Sequence, residues 1–177
     1  LLFKSIFNAL VGVMVKEGRL NVNDPAPVRE WDDERKTITL NHLLQASSGL
    51  AWEESYFVPT SYFHNMFTRS DDKGGFASSR QLEKKPGEFF EYSSGTTNIL
   101  SRIIRKQLGD TAYYRFPYEK LFYPIGMYHT TLELDASGTF VGSSYGYASA
   151  RDWARFGLLY LNRGKWLGKH ILPEDWV

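Results

Sequence analysis

The sequence contains no cysteine, which excludes a disulfide framework, a thiolate metal site and a cysteine nucleophile. That absence leaves the compartment open, because exported proteins without cysteine are common. Long apolar runs are also missing: the most hydrophobic stretch, Leu1 to Val15, is shorter than the roughly 18 residues of a membrane span and is interrupted by Lys4 and Asn8. Charge of one sign is not in excess, since 21 basic and 20 acidic residues leave a net charge of +1. Without a like-charge block, no footprint for nucleic acid stands out. His42, His64, His129 and His170 are widely separated and show no ligand spacing, so no metal site is expected. The opening residues have no initiator Met, no charged leader region and no small-residue cleavage site, and are read as starting in mid-element. No internal repeat or low-complexity tract is present.

What the chain does have is the balance of a packed globular domain, or a large part of one. Its 177 residues are 42% hydrophobic and 23% charged, enough to bury a substantial core. Aromatic residues reach 16%, many of them between Trp52 and Tyr92. They could line an apolar cleft, although core packing is the default for such residues. Arg102, Arg105 and Lys106 read as the solvated face and last turn of a helix, in preference to a phosphate-binding patch.

Apolar spacing over Ile6, Phe7, Leu10, Val11 and Met14 predicts a buried helix closed by Gly18. Leu20 to Arg35 reads as an irregular surface connection, and Thr39 as the cap of a short helix through Leu43 and Leu44. Residues 51–91 form a long excursion with short helices, of the kind that often carries function. Ile99, Leu100, Ile103, Ile104 and Leu108 predict an amphipathic helix ending at Gly109. Pro117 suits the first turn of a short helix that Pro124 ends. A hairpin is expected over Thr130 to Val141 around Asp135-Ala136-Ser137-Gly138. Ser149 with Asp152 resembles a capping box opening a helix to Gly164, and Pro173 is expected to start another.

Lys4 is the only charged residue in an apolar helix start. A desolvated lysine there could be neutral enough to accept a proton, and its alternative is a side chain snorkelling to solvent. Tyr92 stands just before the helix of Ile99 to Leu108, where a phenol could point into a cleft, although a tyrosine in such a place usually serves packing.

The segment Lys4-Ser5-Ile6-Phe7-Asn8-Ala9-Leu10-Val11-Gly12 resembles the stretch that follows the nucleophile in serine hydrolases of the class C β-lactamase, penicillin-binding-protein and family VIII-type esterase superfamily. Ile38 to Leu50, with Asn41-His42-Leu43-Leu44-Gln45-Ala46-Ser47-Ser48-Gly49, is similar to the helix-and-turn signature of those enzymes. Pro86-Gly87 leading to Phe90-Glu91-Tyr92-Ser93-Ser94-Gly95 resembles their Tyr-x-Asn or Tyr-x-Ser element, and Tyr145 to Gly157 a later helix. The matches run in the family's order and span nearly the whole chain.

The resemblance implies an α+β, DD-peptidase-like fold, with an antiparallel sheet flanked by helices and a mostly helical region. Residues 1–177 would form mainly the helical part, lacking the outer strands and the third, Lys-Thr-Gly-like motif. It implies acyl transfer to serine and hydrolysis of a small-molecule ester or amide, without cofactor or metal. Tyr92, aided by Lys4, would act as general base and then acid, and Ser94 would hydrogen-bond substrate or lysine, or else merely cap its helix. A periplasmic or exported location is favoured over a cytoplasmic one, and the oligomeric state is left open. Esterase or amide hydrolase is preferred to true β-lactamase, because Ser94 stands where class C β-lactamases usually have Asn.

One position departs from the pattern: three residues before Lys4 stands Leu1, which has no nucleophilic atom. Either a fragment boundary falls there or the chain is a catalytically inactive binding relative. Two other motif matches compete. Ser70-Asp71-Asp72-Lys73 fits Ser-x-x-Lys, but its aspartates and Gly74-Gly75 read as an exposed turn. Gly142-Ser143-Ser144-Tyr145-Gly146 fits a nucleophile elbow but lacks a strong strand before it and an immediate helix after it. His42 reads as packing or a local hydrogen bond.

Overall fold

The computed structural model describes residues 2–177. Helices dominate, in the order α1 (Leu2–Lys16), α2 (Leu40–Leu44), α3 (Tyr62–Arg69), α4 (Lys73–Ser78), α5 (Ser94–Leu108), α6 (Asp110–Tyr113) and α7 (Ala150–Leu161). Two antiparallel ribbons complete the fold: β1 (Thr130–Leu132) with β2 (Gly146–Ala148), and β3 (Lys165–Trp166) with β4 (Lys169–His170).

The core forms around α1 and α5. Ile6, Phe7, Leu10, Val11 and Met14 of α1 are buried, as are Ile99, Leu100, Ile103 and Ile104 of α5, so the apolar spacing of both segments marks the packed faces. Helix α4 lies close against α5 because Gly74 lacks a side chain: a Cβ there would stand 2.7 Å from the Asn98 carbonyl oxygen and 2.8 Å from Arg102 Cβ. Helix α1 ends where Gly18 takes the left-handed conformation at φ +68°, and α5 ends at Gly109 with φ +74°.

Caps follow local chemistry. The Thr39 hydroxyl accepts from His42 N at 3.2 Å, and His42 Nδ1 accepts from Thr39 N at 3.2 Å, so the imidazole closes a capping box. Ser149 accepts from Asp152 N at 3.2 Å, but the Asp152 carboxylate does not return the bond. It is buried, accepts from His129 N at 2.8 Å and pairs with Arg155 at 3.0 Å, tying α7 to β1.

Four expectations need correction. Pro124 does not end the short helix after Pro117: helical turns run over Tyr118–Phe122 and on through Tyr123–Ile125, and Gly126 at φ +78° stops them. The hairpin expected over Thr130 to Val141 is a turn with one bridge, Leu134 to Phe140, and β1 finds its ladder with β2 instead, Thr131 opposite Tyr147. The Asp135 carboxylate explains the turn, since Oδ1 accepts from Ser137 N at 3.1 Å and Thr139 N at 3.0 Å and so competes with strand pairing. Pro173 starts no helix; the chain turns there, with Trp176 Nε1 donating to Asn8 Oδ1 at 3.0 Å. Asp72 and Lys73 do not lie in an exposed turn: Asp72 caps α4 by accepting from Gly75 N at 2.7 Å, and Lys73 is buried. The Lys73 ammonium donates to the carbonyls of Ser70 at 3.2 Å and Met66 at 3.4 Å, at the C-terminal end of α3.

Candidate active site

Lys4 lies in the first turn of α1 beside the buried Phe3, Ile6 and Phe7, and this packing carries its ammonium out of water. Lys4 Nζ is buried and has no hydrogen-bond partner among the described residues. Its neighbour is the face of the Tyr92 ring, 3.6 Å from Nζ to the ring centroid. A cation so placed is attracted by the ring quadrupole, the more so when desolvated. The two side chains therefore meet through the ring face, not through the phenol oxygen.

Burial is the main cause that pulls the Lys4 pKa down to about 8, partly opposed by the negative charge of Glu54. Tyr92 moves the other way: burial first, and then the proximity of Tyr56 and Glu54, push its phenol up to about 12. At neutral pH the phenol keeps its proton. With a pKa of about 8, roughly one Lys4 in ten is neutral at pH 7, so the lysine is the group able to accept a proton.

Tyr92 is half-buried in the extended segment before α5, and Ser93, with φ −138° and ψ 124°, caps that helix by accepting from Thr96 N at 3.2 Å. Ser94 is the first residue of α5. Its hydroxyl donates to Glu54 Oε1 at 2.5 Å and its backbone N–H donates to Glu54 Oε2 at 2.8 Å. The capping bond belongs to Ser93, and the Ser94 hydroxyl faces a carboxylate.

Glu54 was missed by sequence reasoning. It also accepts from Trp52 Nε1 at 2.6 Å and from the Tyr56 hydroxyl at 3.3 Å, so one carboxylate gathers four donors. The available signal was its flanking: Trp52 and Tyr56 stand two residues to either side, and in extended backbone such residues share a face. Nothing local connects Glu54 to Ser94, forty residues further on.

The remaining candidates are spent elsewhere. Arg102 pairs with Glu30 at 2.7 Å and Asp72 at 3.2 Å, Lys106 with Glu30 at 3.0 Å and Arg105 with Asp110 at 2.8 Å. The Arg102 hydrogen bond is the main cause that holds Glu30 down at about 2. Among the described residues no cluster of His, Asp or Glu is arranged to hold a metal ion. The position three before Lys4, Leu1, lies outside the described residues.

A family model described as Beta-lactamase matches residues 2–176. The chain belongs to the beta-lactamase family. Among curated relatives of this family member, Protein flp of Staphylococcus aureus (strain MW2) is 29% identical over 126 residues, covering 68% of this chain and 24% of that protein. A structure described as a 6-aminohexanoate-dimer hydrolase from Bacillus anthracis superposes with a TM-score of 0.78 at 23% identity, covering 98% of this chain and 50% of the other. An octameric penicillin-binding protein homologue from Pyrococcus abyssi gives a TM-score of 0.71 at 22% identity, covering 98% and 46%. A D-stereospecific amidohydrolase from Streptomyces sp. gives 0.72 at 18% identity, covering 98% and 61%. These likenesses show the α+β, β-lactamase-like fold, of which this chain is the mainly helical portion. The chain spans about a quarter of the curated relative and about half of the first two structures.

Proposed function

We propose that this family member carries the proton-transfer half of a serine hydrolase site, acting on an ester or amide through an acyl-enzyme. The observation that supports this reading is the contact of Lys4 with Tyr92, because it joins a desolvated lysine to a phenol on two different elements of the core. The lysine, with a pKa near 8, supplies the base for the attacking hydroxyl; the phenol, near 12, stays protonated as the donor to the leaving group. A proton passes from lysine to phenol only after the ammonium swings from the ring face to the phenol oxygen or through a bridging water. Ser94 fixes the start of α5 and keeps Tyr92 in reach. In this reading residues 1–177 form part of a longer catalytic domain, and the nucleophile comes from outside the described residues. An exported location fits the same reading.

The sequence position of Leu1 favours a second reading, a binding protein that keeps the cleft without turnover. One experiment separates them. In a chain extended to the family's full length with Leu1→Ser, Tyr92→Phe is expected to lower hydrolysis of a p-nitrophenyl ester by roughly 10²- to 10⁴-fold at matched folded fraction. Activity within twofold of the parent removes Tyr92 from the mechanism, and no activity in the Leu1→Ser parent favours the binding protein.

A further inference from the structure

Among the described residues Lys4 forms no ion pair and no hydrogen bond, yet it stands beside the segment that Glu54 organises. Glu54 sits in the loop before α3, and its two oxygens divide their work. Oε2 takes two nitrogen donors, the Trp52 indole and the Ser94 backbone, which must always donate. Oε1 takes two hydroxyls, those of Ser94 and Tyr56, which could donate or accept. A carboxylate accepts only, so both hydroxyl protons are committed to Glu54. One group thereby links the loop of Trp52 and Tyr56 to the first residue of α5, two residues beyond the ring that seats Lys4.

We propose that Glu54 is the positioning residue of this site: it locks the Ser94 hydroxyl as a donor, fixes the start of α5 that seats Tyr92 beneath Lys4, and supplies the counter-charge for the Lys4 ammonium. The inference rests on the reading of Lys4 as the base of the site. The Tyr92 ring, from the segment before α5, faces Lys4, and Glu54, from the loop before α3, is the charge that acts on it; the Tyr92 phenol is held at about 12. The Glu54 charge opposes the loss of the Lys4 proton, the direction in which the lysine is already moved.

The substitution Glu54→Gln separates charge from scaffold. The indole and the Ser94 backbone N–H still demand an oxygen, which orients the amide so that its NH₂ faces the two hydroxyls. Ser94 must then accept where it donated, and the negative charge is gone. The measurement is an NMR titration of ¹³C,¹⁵N-labelled lysine side chains in the 177-residue chain. Lys4 is expected to titrate near pH 8 in the parent and at least about half a unit lower in Glu54→Gln, whereas Ser94→Ala, which keeps the charge, leaves the midpoint within about 0.2 unit. An unchanged midpoint in folded Glu54→Gln overturns the proposal.

A second measurement needs no variant to fold. In the parent, the Glu54 side-chain carboxyl carbon should show an inflection at the Lys4 midpoint, because titration of the cation is felt by its counter-charge. Absence of that inflection overturns the proposal independently. A parent Lys4 midpoint at the ordinary value of about 10.4 would instead reject the lysine as base, while the Glu54→Gln shift and the carboxyl inflection still decide whether Glu54 is its counter-charge. The coupled inflection at a depressed midpoint supports both.

Discussion

The Lys4 ammonium stands 3.6 Å from the centre of the Tyr92 ring, bringing the first turn of α1 against the segment that opens α5. Folding places a cation where water is scarce and a ring face is its nearest partner. The lysine therefore binds its proton less tightly in the folded chain, at about 8, than at its ordinary 10.5.

That difference fixes the sign of a pH dependence. Below about pH 8 Lys4 is charged in both states and the folded state bears the full desolvation cost; between 8 and 10.5 the folded lysine sheds its proton first and the cost is relieved. Lys4→Met, which keeps the length and apolar bulk, should therefore gain most over the parent below about pH 8, and its advantage should shrink as pH approaches 10. Thermal midpoints of both proteins from pH 6.5 to 10 measure this. A gap that stays constant across the range would mean that Lys4 titrates as an exposed lysine.

Gly95 is the next constraint on the site. A Cβ there would lie 2.6 Å from Trp52 Cζ3 and 3.0 Å from Ala77 Cβ, so Gly95→Ala must displace the indole whose N–H donates to Glu54. The expected cost is about 1–3 kcal/mol in urea unfolding, with a changed Trp52 indole N–H resonance. Gly157→Ala on α7 is the control of opposite sign, because a Cβ there meets nothing within 4 Å. Relief of glycine's backbone entropy in a helix should stabilise it by about 0.5–1 kcal/mol. Equal effects at the two positions would refute the packing account of Gly95.

How legible the site was depends on how local its contacts are. The buried helix of Ile6 to Met14, the Thr39 cap and the stop at Gly109 follow from spacing within one or two turns, and the structure has all three. Lys4 and Tyr92 were visible through ordered motifs, although the ring-face geometry of their contact was not. Glu54 carried only the local signal of its flanking by Trp52 and Tyr56, because its other partner, Ser94, lies forty residues away and the stretch has no periodicity. The β3–β4 hairpin was missed although Leu167 and Gly168 both take positive φ, +47° and +79°, as a two-residue turn requires. The Leu-Gly pair is a weaker signal than Asn-Gly, since leucine pays a steric cost at such φ.

Lys73 shows how a motif-like lysine can be structural. Its buried ammonium donates to the Met66 carbonyl in the last turn of α3 and to the Ser70 carbonyl just beyond it. Lys73→Met should keep the apolar stem but strand those carbonyls, at a cost of about 1–3 kcal/mol in urea unfolding. A loss below about 0.5 kcal/mol would indicate that water replaces the ammonium.

The same geometry bears on whether Ser70 or Ser144 could be a nucleophile. Three parts must coincide: a hydroxyl, a base that removes its proton, and donors for the oxyanion, worth on the order of 10²- to 10³-fold alone. The Ser70 hydroxyl donates to the Asp72 carbonyl at 2.9 Å, while the Lys73 ammonium faces the Ser70 carbonyl, so lysine and hydroxyl are not paired. Ser70 is extended, with φ −119° and ψ 129°, just beyond α3, so the two residues do not share a helix face. Ser144 lies in the bend before β2, and no helix begins until Ala150, which leaves it without the helix N-terminus that an elbow uses. Its neighbour Ser143 is buried against Asn98 at 3.0 Å. The 177-residue chain treated with a fluorophosphonate should therefore carry no single stoichiometric adduct by mass spectrometry. An adduct on Ser70 or Ser144 that disappears when that serine becomes alanine would move the nucleophile there and detach Lys4 and Tyr92 from the chemistry.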